Sequence, residues 1–235
     1  MYKRILLKLS GEALGGKREN GPIEAACLDF IAEELTAVAS LPDTRLAIVV
    51  GGGNIWRGAR DGIMIERVTA DSMGMLATVI NGLALRSALR RKGVDAELMS
   101  SVAMEPVAEL FTADKAEKYL KAGKTLIFAG GTGSPFFTTD TGASLRAAEI
   151  GADIIFKATQ VDGVYTDDPK KNPSAEKIED ITYEEAIRRD LKIMDTSAMA
   201  MCRENDIKTL VFNLHKKGNI ARAASGEKIG TLIHE

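Results

Sequence analysis

"LIFAGGTGSPFFTTDTGASLR", residues 126–146, joins an apolar run, a glycine-rich loop and a helical pattern in one short stretch. Residues 124–130 form a short apolar run, as expected of a strand covered on both faces. From Asp140 to residue 150 the spacing becomes helical, and Asp140 is suited to the N-cap. A strand that feeds a helix through a glycine turn is the repeating unit of a parallel α/β sheet. The loop itself is unusual, because Phe136 and Phe137 stand side by side behind Pro135. Either the rings plug the core beneath the loop, or they wall off a flat ligand ring. Thr138 and Thr139 precede a helix N-terminus, where anions are favoured and hydroxyls can donate to a phosphate or a base edge.

The same alternation extends in both directions. Further strands are expected at 3–9, 44–50, 95–101, 153–159 and 208–214, with a last short one in "GTLIHE". Helical patterns fill 24–40, 69–92, 113–122, 183–189, 195–205 and 218–225. The fold class is therefore α/β, with a mostly parallel central sheet between helical layers. The polar stretch 166–180 reads as an excursion with turns. It marks two lobes of one domain, about 1–150 and about 151–235, without a true linker.

Composition narrows the function. The chain has 235 residues, 45% apolar and 27% charged, which suits a soluble core. A net charge of −2 gives no global pull toward nucleic acid, so anion binding must be local. The opening "MYKRILLKLSGEAL" carries one short apolar run, too short to cross a membrane and without a small-residue cleavage pattern. Cys27 and Cys202 have no metal-type spacing, and a reducing cytoplasm is the expected location. His215 and His234 cannot form a histidine metal site between them, and no metal ligand is expected directly from the protein.

Three strands end in glycine. "LLKLSG" runs to Gly11, "AIVVGGGN" to Gly51-Gly52-Gly53, and "LIFAGGTG" to Gly130, Gly131 and Gly133. Ligands of open α/β sheets bind beyond the carboxyl ends of the strands, and glycine lets backbone N–H groups approach an anion there. Three such loops favour a site for paired phosphates. "GEALGGKR" (11–18) mimics a P-loop but fails it. Arg18 occupies the hydroxyl position that holds magnesium, and Asn20-Gly21-Pro22 breaks the helix that should follow.

Phosphoryl transfer needs two phosphate groups held in line and cations against the moving charge. Lys8 ends the first strand and Lys157 ends the run "DIIFKAT". A lysine in an apolar strand either marks an edge or stands over a phosphate at the sheet mouth. Arg57 in "GGGNIWRGA" can clamp a phosphate bidentately, while Trp56 beside it suits packing. Asp71, near the start of the long helix, can cap that helix or accept from sugar hydroxyls. Asp140, if it faces the lysines, can order them.

"KLSGEAL" (8–14), "GGGNIWRGA" (51–59), "DSMGMLATVINGLALR" (71–86), "GTGSPFFTTDT" (131–141), "KATQVDGVYTDDP" (157–169) and "EKIGTLI" (227–233) together resemble the bacterial uridylate kinases, within the amino acid kinase family. The resemblance spans essentially the whole chain, with all blocks in order. It implies a three-layer α/β/α sandwich, not a P-loop fold, that phosphorylates UMP with MgATP in pyrimidine nucleotide synthesis. By motif it assigns ATP to Lys8, Leu9, Ser10, Gly11, Gly53, Arg57, Thr159, Tyr165 and Asp168. It assigns UMP to Gly52, Asp71, Thr132, Gly133, Ser134, Pro135, Phe136, Phe137, Thr138 and Thr139. Lys8, Arg57, Asp140 and Lys157 form the implied catalytic set. The resemblance also implies a homohexamer, inhibited by UTP and often activated by GTP. GTP activation falls on Gly16, Lys17, Arg18, Glu19, Asn20 and Gly21, where the family's usual Gly-Phe-Gly-Ile is replaced, which leaves that response open. Two other readings share the blocks in part: a kinase of carboxylates or carbamates, and a non-catalytic nucleotide binder.

Overall fold

The apolar runs become strands of a single sheet. The computed structural model describes residues 2–15, 21–57, 64–167, 169, 171–172 and 174–235. In chain order the strands are β1 (Arg4–Leu9), β2 (Arg45–Val50), β3 (Ala96–Ser100), β4 (Glu109–Leu110), β5 (Thr125–Ala129), β6 (Ile154–Thr159), β7 (Val164–Tyr165), β8 (Lys177–Ile178), β9 (Asp180–Thr182), β10 (Lys208–Asn213) and β11 (Thr231–His234). The helices are α1 (Ala25–Ala39), α2 (Arg67–Arg91), α3 (Ala113–Lys121), α4 (Thr139–Glu149), α5 (Tyr183–Arg188), α6 (Thr196–Glu204) and α7 (Asn219–Ala224).

The main sheet has the order β4-β3-β5-β2-β1-β6-β10-β11-β9. Its pairs are parallel except β10 with β11, so β11 and β9 run against the rest. The described end of the 166–180 excursion carries strand as well as turns. β7 and β8 pair as an antiparallel ribbon, and Asp180 already opens β9 on the sheet edge.

Strand alternation sorts side chains into two layers. Ile5, Leu7 and Leu9 join Ile31 and Leu35 of α1, Leu85 and Leu89 of α2, and Ile220 of α7. Leu6 and Ile155 face the other way, toward Leu120 of α3, Ala143 and Ala147 of α4, Tyr183 of α5 and Met199 of α6. The result is the expected three-layer sandwich. β1 is central rather than an edge strand, so the edge reading of Lys8 does not hold.

Threonine and aspartate side chains start four helices: Thr112 for α3, Thr138 for α4, Thr182 for α5 and Asp195 for α6. The N-cap of α4 is therefore Thr138, not Asp140. The Thr138 hydroxyl accepts from the N–H groups of Asp140 and Thr141 at 3.0 and 3.4 Å. This moves Asp140 into the first helical turn and frees its carboxylate from capping.

Candidate active site

The site lies at a topological switch point. From β1 the sheet grows one way to β2 and the other way to β6. The register pairs Lys8 with Lys157 on adjacent parallel strands, so both side chains leave the same face. On that face α4 supplies Asp140. Lys8 Nζ lies 2.9 Å from Asp140 Oδ1, and Lys157 Nζ lies 2.6 Å from Oδ2. The Lys157 contact is a hydrogen bond, whereas the Lys8 contact is an ion pair without hydrogen-bond geometry. All three side chains are at most 16% exposed, so water screens the trio weakly. Burial alone would raise the Asp140 carboxyl, but the two ammoniums outweigh it and hold the group below the usual carboxylate range. Burial, helped by the like charge of Lys8, lowers the Lys157 ammonium below an ordinary lysine, against the pull of Asp140.

Two cavities lie nearby, and the two lysines of the trio line the smaller one. The smaller, about 200 Å³, is lined by Lys8, Ser10, Lys157, Thr159, Gln160 and His215 among others. The larger, about 520 Å³, is lined by Gly52, Gly53, Arg57, Asp71, Thr132, Ser134, Phe137, Thr138 and Thr139 among others. Glu12 lines both. Arg57 donates from Nε to Gly53 O at 2.8 Å and pairs through Nη2 with Glu12.

Close backbone packing holds the loops. A Cβ on Gly11 would sit 2.4 Å from Asn54 Oδ1 and 2.8 Å from Gly51 O, so only glycine lets the first two glycine loops touch. Gly130 has φ +77° and gives its N–H to Thr78 Oγ1 at 2.7 Å. Asn81 is fully buried on α2, donates to Gly51 O at 2.7 Å and exchanges amide bonds with Asn54. Thr78 and Asn81 thus tie both loops to one helix, and the sequence reading missed them. The available signal was two polar residues inside an otherwise apolar helical pattern.

Asp195 was missed too. Its carboxylate caps α6 through Ala198 N at 2.9 Å and accepts from the hydroxyls of Thr138 and Thr141. The threonine pair is thereby divided. Thr138 Oγ1 is committed to the cap and to Asp195, whereas Thr139 Oγ1 has no hydrogen-bond partner among the described residues and borders the larger cavity.

Phe136 and Phe137 do not plug the core, being 62% and 52% exposed. Only Phe137 lines the cavity. Phe136 has φ +73°, with Arg67 5.5 Å from its ring centroid. Asp71 Oδ2 accepts from Phe136 N at 2.7 Å and Arg67 Nε at 2.8 Å, leaving Oδ1 without a partner among the described residues, and Asp71 lines the larger cavity. Burial opposes ionisation of Asp71, yet these two donors hold its carboxyl below the usual range.

Several expected residues stand apart from the cavities. Gly133, Pro135 and Phe136 shape the loop without lining the larger one. Gly53, expected toward ATP, borders the larger cavity rather than the smaller. Leu9 is fully buried, so only its backbone is left for a ligand, and Gly11 lines neither cavity. Tyr165 sits half-buried on β7, away from the smaller cavity. Asp168 and residues 16–20 lie outside the described residues. Gly21 is exposed with φ +84°.

The lowered Lys157 makes a testable pH signature. A lysine with a lowered folded value loses its proton earlier as pH rises. The alkaline limb of kcat/KM, which reports the free enzyme, should therefore fall below about 10.4, the value of an ordinary lysine. Lys157→Arg should move that limb upward, because a guanidinium stays charged. An unmoved limb in an active variant would assign the titration to another group.

The amino acid kinase family model matches residues 3–213. The chain is 49% identical over 234 residues to the uridylate kinase of Parabacteroides distasonis, covering 99% of this chain and 98% of the relative. Among solved structures it is similar to the UMP kinase from Bacillus anthracis, at 39% identity and a TM-score of 0.95, covering 99% and 96% of the two chains. It is also similar to the UMP kinase from Ureaplasma parvum, at 37% identity and a TM-score of 0.94, covering 100% of both.

Proposed function

The chain belongs to the amino acid kinase family, and from that premise we propose that it transfers the γ-phosphoryl group of ATP to UMP, giving UDP and ADP. The observation that carries this reading is that Lys8 and Lys157 of the buried trio line the smaller cavity, which shares Glu12 with the larger one. The smaller cavity takes the ATP phosphates, with Lys8 and Lys157 against the γ-phosphoryl. The larger takes UMP, its ribose toward Asp71 and its uracil between Phe137 and the Thr139 hydroxyl. Arg57 stands where the two phosphates meet. Asp140 touches no reacting atom and holds the two ammoniums in place.

Transfer in this geometry is chiefly positioning and charge stabilisation, with little covalent work for the protein. Magnesium, expected with ATP, would be held by phosphate oxygens and water, and when bound it neutralises phosphate charge. The donor set fits that arrangement, because both Asp140 oxygens face lysines and are not offered to a metal.

The division into a UMP part, about 1–150, and an ATP part, about 151–235, is supported by the cavity linings. The larger cavity draws on residues 12–139, and the smaller on 8–13 and 157–215. UTP inhibition follows if the same uracil site accepts a triphosphate that also reaches the lysines. GTP activation stays attached to residues 16–21. Assembly into a homohexamer is supported by α2, which exposes Val68, Leu76 and Ile80, eight and four residues apart. A cytoplasmic location is supported by two free cysteines on different helices, Cys27 and Cys202.

Base selection tests the acceptor assignment. UMP and CMP are near-isosteres that an apolar wall cannot separate, whereas a hydrogen-bonding site can discriminate by about 10⁴. Wild type should strongly prefer UMP. Thr139→Ala should narrow the UMP/CMP ratio of kcat/KM by about tenfold, the scale of one lost hydrogen bond, and change the KM for ATP less. Both ratios are measured at saturating MgATP. Equal use of CMP by wild type, or a variant that loses only ATP affinity, would remove this loop from base reading.

A further inference from the structure

Among the described residues Glu12 is the one carboxylate that borders both cavities, and no step of the proposed transfer uses it. It sits in a short 3₁₀ turn, Gly11–Ala13, whose N–H at Glu12 is 3.4 Å from Ser10 Oγ. The side chain pairs with Arg57 Nη2, while Arg57 Nε is held by Gly53 O. The spacing between the two partners is set by the backbone. The Gly11 turn and the Gly51–Gly53 loop touch so closely that a single Cβ on Gly11 would collide with three atoms. Two closely packed loops therefore present a carboxylate and a guanidinium to each other beside the boundary between the cavities.

A carboxylate at that place has no favourable contact with phosphate. Its favourable partner is the arginine that the phosphates also need. We propose that Glu12 is a positioning residue that latches Arg57 across the boundary between the cavities, so that a phosphate engages Arg57 by displacing Glu12. The inference rests on the reading of Arg57 as a phosphate contact. The pair is partly exposed, with side chains 33% and 44% accessible, so the latch is weak enough for a phosphate to open. A phosphate offers Arg57 two charge-assisted hydrogen bonds in place of one carboxylate contact.

The latch has a signature that a structural role lacks: removing Glu12 should tighten phosphate binding, and only when Arg57 is present. UMP binding is measured by calorimetry in wild type, Glu12→Gln, Arg57→Ala and the double variant, with thermal unfolding alongside. Glu12→Gln is isosteric, and Glu12→Ala serves as a second probe of the same contact. Glu12→Gln should lower the Kd for UMP by about fivefold, the scale of a partly exposed ion pair. In the Arg57→Ala background the same change should alter the Kd by less than twofold. Equal tightening in both backgrounds would mean that Glu12 repels phosphate directly, and would overturn the latch. An unchanged or weaker affinity in Glu12→Gln and Glu12→Ala would overturn it as well. Failure of the underlying reading looks different: Arg57→Ala would then bind UMP as wild type does, whatever occupies position 12.

Discussion

Lys8→Ala should leave the protein folded and cut kcat by about a hundredfold. Lys8 lies on the central strand, in register with Lys157, and opens on the cavity assigned to ATP. Its side chain is 16% exposed, where a contact to the moving phosphoryl group is weakly screened. Losing such a charge-assisted contact in the transition state costs about 3 kcal/mol, which corresponds to about two orders of magnitude in rate. The fold should survive because Ile5, Leu6, Leu7 and Leu9 supply the buried surface of β1. Asp140 also keeps Lys157 at 2.6 Å. The measurement is steady-state turnover with saturating MgATP and UMP, with circular dichroism as the folding control. Near wild-type turnover would remove Lys8 from the chemistry.

Asp140→Asn should cost about as much activity and, unlike Lys8→Ala, should also destabilise the protein. The substitution conserves shape and removes the charge that holds two buried ammoniums side by side. Breaking one partner out of a buried ion pair costs about 3 kcal/mol or more, because the remaining charges lose their compensation. ATP brings negative charge to the same lysines, so it should raise the Tm of the variant more than that of wild type. The pH dependence has a definite sign. The folded carboxyl is held below its unfolded value, so its stabilisation is present above about pH 4 and fades as pH falls through the lower folded value. Asp140→Asn should flatten that acid limb of stability. A variant with wild-type Tm and wild-type kcat would show that the trio is incidental.

Much of the fold was legible because long apolar runs and helical periods are local signals. β1, β2, β5, β6 and β10 fall inside the runs that predict them, and α1, α3, α5, α6 and α7 lie within the expected patterns. β4, β7, β8 and β9 were not legible. A strand of two or three residues has no period to read, and each exists only because a distant partner supplies its hydrogen bonds. The start of α4 was misplaced for a related reason. Thr138 and Asp140 are both good caps, and Asp140 is drawn instead to lysines on strands that the helix covers.

The sequence alone determined the α/β class, the glycine loops at three strand ends, and the presence of Lys8, Arg57, Asp140 and Lys157, because composition, periodicity and motif order are written along the chain. Only the tertiary structure decided which of these groups meet. Lys8 and Lys157 become neighbours because β6 pairs with β1 rather than with β5, the strand before it, a choice made by long-range burial. Thr138 and Thr139 part ways because Asp195, carried in by α6, engages one hydroxyl and leaves the other to the cavity. Glu12 meets Arg57 because the Gly11 turn and the Gly51–Gly53 loop pack closer than a Cβ on Gly11 would allow. Contacts of this kind depend on distances through space, and those are set by how strands and helices pack, not by spacing along the chain.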